Sequence, residues 1–162
     1  MDREIFTLNP IDIVEDVIYQ KNWSFSRSAE HELVADISSN FCQYRLYFNW
    51  SENISAISFT ITFDLSFPQT KLFKAYQLLG LINEKLWIGH FDITSKNGIP
   101  AYRHTVLAMT DIDFLHKKLE DLVDIGIYEC EKYYPSIQQV LFEDISPIEA
   151  LEFSNFETIG QA

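Results

Sequence analysis

Glycine and proline are scarce in this sequence, five of each in 162 residues. Chains that are disordered or of low complexity are rich in both, so the class is excluded. Few glycines also leave little material for a backbone nest that cradles phosphate. No Gly-rich loop, Gly-x-Ser-x-Gly elbow or His-Glu-x-x-His occurs. The two cysteines, Cys42 and Cys130, lie far apart with no Cys or His neighbour at ligand spacing, which predicts neither a zinc site nor a disulfide framework. Both are expected to face the core, where a free cysteine acts as a small hydrophobe. Positive charge is scarce as well: 12 Lys and Arg stand against 24 Asp and Glu, a net charge of −12. That field repels phosphate backbones and anionic lipid, so neither nucleic acid nor a membrane is expected as partner. No apolar run approaches the roughly 18 residues of a membrane helix. Residues 1–9 carry Asp2 and Glu4 and lack the basic start and apolar stretch of a signal peptide. A cytoplasmic location is the expectation.

What the chain does have is aromatic and aliphatic bulk, with 13 Phe and 8 Tyr. That suffices for a core at this length, and a single domain over residues 1–162 is expected without metal or disulfide support. A first helix is announced by Asn9 as cap, Pro10 at the first position and Asp12 in the first turn, with Val14, Val17 and Ile18 at helical spacing up to Asn22-Trp23. Three strands follow on period-two alternation. Leu33, Ala35 and Ile37 mark the first, Tyr44, Leu46, Phe48 and Trp50 the second, and Ile57, Phe59, Ile61 and Phe63 the third. A hairpin register puts Phe48 opposite Phe59 and Leu46 opposite Ile61, with Tyr44 between Ala35 and Phe63. One sheet face is then apolar and needs cover, while the other shows Arg45, Tyr47, Thr60 and Thr62.

A second helix is predicted over residues 70–87, with Leu72, Phe73, Tyr76, Leu79, Ile82 and Leu86 as its buried stripe and Gly89 in the left-handed position beyond it. A hairpin follows, 90–94 and 99–109, around Asn97-Gly98. A two-residue loop there pairs Ile93 with Tyr102, Asp92 with Arg103 and Phe91 with His104. A third helix runs from about Asp111 towards Phe142, with Pro135 expected to kink or break it. Ser146-Pro147-Ile148-Glu149 reads as a capping box opening a last helix. Helix, three strands, helix, two strands and helices give an α+β fold: a five-stranded antiparallel sheet with helices mainly on one face.

The search for chemistry returns candidates with simpler readings. His31, His90, His104 and His116 are scattered, and His90 and His104 should point to opposite faces. Glu120 and Asp124 share a helical face and could grip a hard cation, or form a solvated surface, as could Asp12, Glu15 and Asp16 or Glu143 and Asp144. Arg45 and Tyr47 on the polar face suit an anionic or peptide ligand, or a solvated strand. Trp50 and Trp87 are too large to stay exposed without reason and are assigned to the core or an interface edge. The binding candidates are Arg45, Tyr47, Trp87 and Arg103; no catalytic residue, metal ligand or cofactor is assigned.

Several segments together resemble the YbjN-like family of bacterial proteins. They are Asn9-Pro10-Ile11-Asp12, Cys42-Gln43-Tyr44-Arg45-Leu46-Tyr47-Phe48 with Trp50, and Leu81-Ile82-Asn83-Glu84-Lys85-Leu86-Trp87-Ile88-Gly89-His90-Phe91. Further on are Pro100, Tyr102-Arg103-His104, Cys130-Glu131, Tyr133-Tyr134-Pro135, Ser146-Pro147 and Glu157-Thr158-Ile159-Gly160. The resemblance implies a type III secretion chaperone-like fold, commonly dimeric, and a regulatory role in sensory transduction with no defined catalytic residues. On that footing the expectation is a non-enzymatic protein-binding, chaperone-like or regulatory module that forms a homodimer and has a protein partner of unknown identity. The other reading is a small-ligand sensing domain that uses the polar sheet face.

Overall fold

The computed structural model describes residues 9–108 and 111–159, the last five of these by backbone alone. The first helix, α1 (Pro10–Gln20), starts where its sequence signals place it: the Asn9 side chain accepts from the Ile11 amide and proline occupies the first turn. Its inner face, Ile11, Ile13, Val14, Val17 and Ile18, is buried. Lys21 caps the end and Asn22 turns the chain with φ +58°.

A strand absent from the sequence reading follows at once. β1 (Ser24–Ala29) makes the sheet six-stranded rather than five-stranded. Its Ser-Phe-Ser-Arg-Ser-Ala pattern offers one large apolar residue, Phe25, because an edge strand buries little. The chain continues through β2 (Glu32–Ser38), β3 (Gln43–Ser51) and β4 (Ala56–Phe63) as an antiparallel meander. After a 3₁₀ turn at Gln69–Lys71, α2 (Leu72–Asn83) crosses to the far edge, where β5 (His90–Ile93) forms. β6 (Pro100–Leu107) returns between β5 and β4, so the strand order is β1-β2-β3-β4-β6-β5, all antiparallel. Two further helices, α3 (Ile112–Phe142) and α4 (Pro147–Ile159), complete an α+β architecture.

The β3–β4 register is the expected one, with Phe48 opposite Phe59 and Leu46 opposite Ile61. Two other registers differ by two residues. Tyr44 faces Ile37, and Leu46 rather than Tyr44 faces Ala35. In the β5–β6 hairpin Phe91 pairs with Tyr102 rather than His104, Ile93 with Pro100, and Asp92 with Ala101. The Asn97-Gly98 loop is wider than two residues because only Gly98 takes positive φ (+66°), whereas a type I′ turn needs it at both positions. Gly98 serves another purpose: its carbonyl accepts from the Phe67 amide at 2.7 Å, and a Cβ there would lie 2.1 Å from the Phe67 carbonyl oxygen. The expected strand end at Met109 lies outside the described residues.

The helices cover one sheet face. Leu33, Ala35, Leu46, Phe48, Ile57, Phe59, Ile61 and Tyr102 point beneath them and are buried. Phe48 and Phe59 stack with ring centroids 4.9 Å apart. α3 crosses close above the sheet at Gly126, where a Cβ would reach within 2.9 Å of Ile61 and Phe59. Further along α3, Tyr133 meets Phe91 edge-on and Tyr134 stacks on Phe63. Pro135 does not end this helix, which runs on to Phe142. Tyr133, Tyr134, Ile137, Val140 and Leu141 are buried on both sides of the proline, and that packing outweighs a cost of about 3 kcal/mol. Cys130 is buried as expected, whereas Cys42 is only half-buried. At α4 the Ser146 hydroxyl accepts from the Glu149 amide, the first half of the expected capping box.

α2 departs most from expectation. It ends at Asn83, not Trp87, and buries Leu72, Ala75, Leu78, Leu79 and Ile82. Phe73 and Tyr76, placed in the helix's buried stripe by the sequence reading, face outward, and Trp87, assigned to the core or an interface edge, is fully exposed in the following loop and so is not core.

Candidate functional site

The face of the sheet away from the helices is built by the alternate residues of each strand. The register lines up Ser24, Asp36, Arg45, Thr62, Ala101 and Asp92 in one row across the sheet. The next row holds Ser26, Val34, Tyr47, Thr60, Arg103 and His90. Strand alternation thus puts three of the four expected binding residues, Arg45, Tyr47 and Arg103, on one surface. Trp87 is not with them. Its loop is tied to the covered side, where the buried Tyr102 hydroxyl donates to the Ile88 carbonyl at 2.7 Å.

Within this face lies a half-open depression of about 500 Å³ whose lining includes Asp36, Gln43, Arg45, Tyr47, Thr62, Asp64 and Ile99. The volume is within the range of small-ligand sites. Arg45 dominates it. Its Nε donates to Asp36 at 2.7 Å, and that hydrogen bond, with Tyr47 beside it, holds the guanidinium above its ordinary value. One nitrogen is engaged with Asp36, so the rest of the guanidinium fork can present donors to a carboxylate or carbonyl. Thr62 and Gln43 add neutral polar groups, and Asp64 adds a second carboxylate. Arg103, one row away, contacts Asp92 through Nε at 3.2 Å and reaches Thr60 with Nη1. The Asp92–Arg103 pair expected from sequence therefore forms, but from diagonal positions.

Asp36, Gln43, Thr62, Asp64 and Ile99 were not singled out by the sequence reading. A signal for Asp36 existed, since the correct β2–β3 register sets it directly opposite Arg45 and pairs opposite charges. The two-residue slip concealed it.

Several of the remaining sequence candidates are engaged in other contacts. His104 lies on the covered face and His90 on the open one; burial, and then His90, lowers the His104 imidazole. Asp124 binds Lys21 at 2.6 Å and Asp121 binds Lys117 at 2.5 Å. Asp12 and Glu15 both hold Arg27 at 2.9 Å, so this acidic face is an ion-pair cluster, and Asp144 holds Lys74 at 2.8 Å. On α3, burial pushes the Glu129 carboxyl up against the opposing pull of Lys132, and its Oε2 is buried without a hydrogen-bond partner among the described residues. Among the described residues, no group of three or more His, Cys, Asp or Glu side chains is placed to hold a metal ion. No helix among them is long and apolar enough to cross a membrane.

Comparison with known proteins adds to this geometry. A search of curated proteins finds no match. Among solved structures, one titled "Crystal structure of YbjN, a putative transcription regulator from E. coli" is similar at 11% identity and a TM-score of 0.49, over 76% of this chain and 93% of that one. The family model for YbjN, described as "Putative bacterial sensory transduction regulator", matches residues 10–139. That span runs from the proline opening α1 through the whole sheet and most of α3, and the chain belongs to the YbjN family.

Proposed function

We propose that the protein is a non-enzymatic binding module, chaperone-like or regulatory, that works as a homodimer and engages a protein partner in the cytoplasm. The type III secretion chaperone-like arrangement belongs to the same proposal. The observation that carries it is the uncovered sheet face, where Arg45, Tyr47 and Arg103 stand in adjacent rows with unused donors. Such a face suits recognition of an extended polar segment by side-chain pairing. Affinity capture from native cells with the wild-type chain and an Arg45→Ala/Tyr47→Ala variant tests it. The expected result is a partner retained by the first and lost by the second while both melt alike, since an exposed ion pair contributes under about 1 kcal/mol. No partner together with a monomer in solution would overturn the proposal.

The depression beside Arg45 supports a second reading, a small anionic ligand sensed at the same face. A saturating ligand at 100 times Kd stabilises by about 2.7 kcal/mol. Such a ligand would raise the melting temperature of the wild type and leave Arg45→Ala unmoved.

A further inference from the structure

The depression on the open sheet face is lopsided in charge. Arg45 is the one cation in its lining, and Asp36 already meets that charge at 2.7 Å. Asp64 lines the same hollow, and among the described residues its carboxylate takes part in no hydrogen bond or ion pair. The other arginine of the face, Arg103, is matched in the same way by Asp92 at 3.2 Å. The charge left over in the hollow is therefore negative. Gln43 and Thr62 stand beside it as neutral hydrogen-bonding groups, and Ile99 supplies an apolar wall.

We infer that this hollow takes an extended segment of a partner protein that carries a lysine or arginine, with the charged end at Asp64 and the aliphatic stem along Ile99. The inference rests on the protein-binding reading above and adds the chemistry of the segment that the face receives. Charge complementarity selects the occupant at two ranges. Close in, an anion approaching Arg45 would meet Asp36 and Asp64 as well, whereas a cation at Asp64 meets an unspent carboxylate. Further out, a net charge of −12 draws basic segments in and repels acidic ones. A long apolar stem ending in a charge suits a place where an aliphatic wall and a carboxylate stand together. Other carboxylates without a partner, such as Glu120 on α3 and Glu152 on α4, lie outside this hollow.

The spacing of the face fits the backbone of such a segment. Gln43, Arg45 and Tyr47 follow one another at two-residue intervals on β3, and Thr60, Thr62 and Asp64 run antiparallel beside them. Successive rows are thus about 6.8 Å apart, and an extended segment lying along the strands repeats its own side chains at that interval. With its basic side chain over Asp64, the segment's next sheet-facing positions fall above Arg45 and then Tyr47. There the guanidinium donors that Asp36 leaves free can meet backbone carbonyls of the segment.

Fluorescence anisotropy of the full chain tests this with two labelled peptides, Thr-Lys-Thr-Lys-Thr-Lys-Thr and the same peptide with Glu in place of Lys. The expected result is binding of the lysine peptide alone, weakening as salt is added. Asp64→Asn should raise its Kd about fivefold, the scale of one partly exposed charge pair. Glu152→Gln removes the same charge from α4 and should raise Kd by less than about twofold. Both positions are exposed, and circular dichroism checks that each variant folds. Equal losses in the two variants would reduce the attraction to net charge and overturn the site. Binding of the glutamate peptide, lost in Arg45→Ala, would make the occupant an anion. Spermidine bound as tightly as the lysine peptide, and as dependent on Asp64, would make it a small organic cation instead of a protein segment. Failure of both peptides to bind the wild type would overturn the basic occupant outright. A cellular partner lost from Arg45→Ala/Tyr47→Ala but retained by Asp64→Asn would leave the protein-binding reading standing and strike only the basic segment.

Discussion

Gly89 is where a single methyl group should do the most harm. The residue joins the Trp87 loop to β5 and takes φ +73°, a conformation that costs an L-residue about 1–2 kcal/mol. A Cβ there would lie 2.4 Å from both Cζ and the hydroxyl oxygen of Tyr102 and 2.8 Å from its Cε2. The ring has no room to move aside. Tyr102 is fully buried, its hydroxyl is bonded to Ile88, and Phe59 and Phe91 press on it edge-to-face. Forcing a methyl into such packing costs about 1–3 kcal/mol more. Gly89→Ala should therefore lose about 2–5 kcal/mol, which lowers the melting temperature by roughly 10 °C at 2–4 °C per kcal/mol. Urea titration of wild type and variant, followed by far-ultraviolet circular dichroism, measures it. Gly80→Ala is the control, because with space around it the substitution should gain up to about 1 kcal/mol from helix propensity. A loss below about 1 kcal/mol at Gly89 would refute the reasoning and show that the Tyr102 ring yields.

Two further expectations concern the core and a half-buried carboxylate. Phe48→Ala removes half of the stacked pair with Phe59 from the buried side of the sheet and should cost about 3–5 kcal/mol by urea unfolding. Glu129 has a folded-state affinity for its proton above the unfolded one, so its favourable contribution is complete below the ordinary carboxylate range, about pH 4, and is lost as pH rises through the raised folded value. Glu129→Gln should then match wild type near pH 4 and exceed it in stability at pH 7.5; an equal difference at both pH values would remove burial as the cause.

How far the sequence reveals this molecule depends on where burial is two-sided. β3 and β4 each have a neighbour on both sides and a face under helices, so their alternation is clean and their register follows from matching Phe48 to Phe59. β1 lies at an edge, and only Phe25 signals it. The site was legible in its arginines and Tyr47, because strand parity alone puts them on the polar face. Its concavity was not, because that depends on Asp36 and Asp64 joining Arg45 in the lining and on Ile99, next to the Gly98 loop, joining them. The α2 stripe misled in the opposite direction. Hydrophobic residues surround most of the helix, and periodicity could not say that Ala75 and Leu78 would be buried while Phe73 and Tyr76 would not.

The edges of the sheet bear on which surface meets a partner. Adding a strand to a sheet requires a long, regular row of free backbone groups. β5 offers four residues, and β1 offers six whose pairing with β2 slips between Ser26 and Ala29. β1 is further fixed by Arg27, which reaches back to Asp12 and Glu15 on α1 and to the Glu30 carbonyl. A strand docking at either edge would gain few ladder hydrogen bonds and would meet serines on β1. The two broad faces differ in character: the open sheet is polar and carries paired arginines, and α2 is aromatic and nearly uncharged.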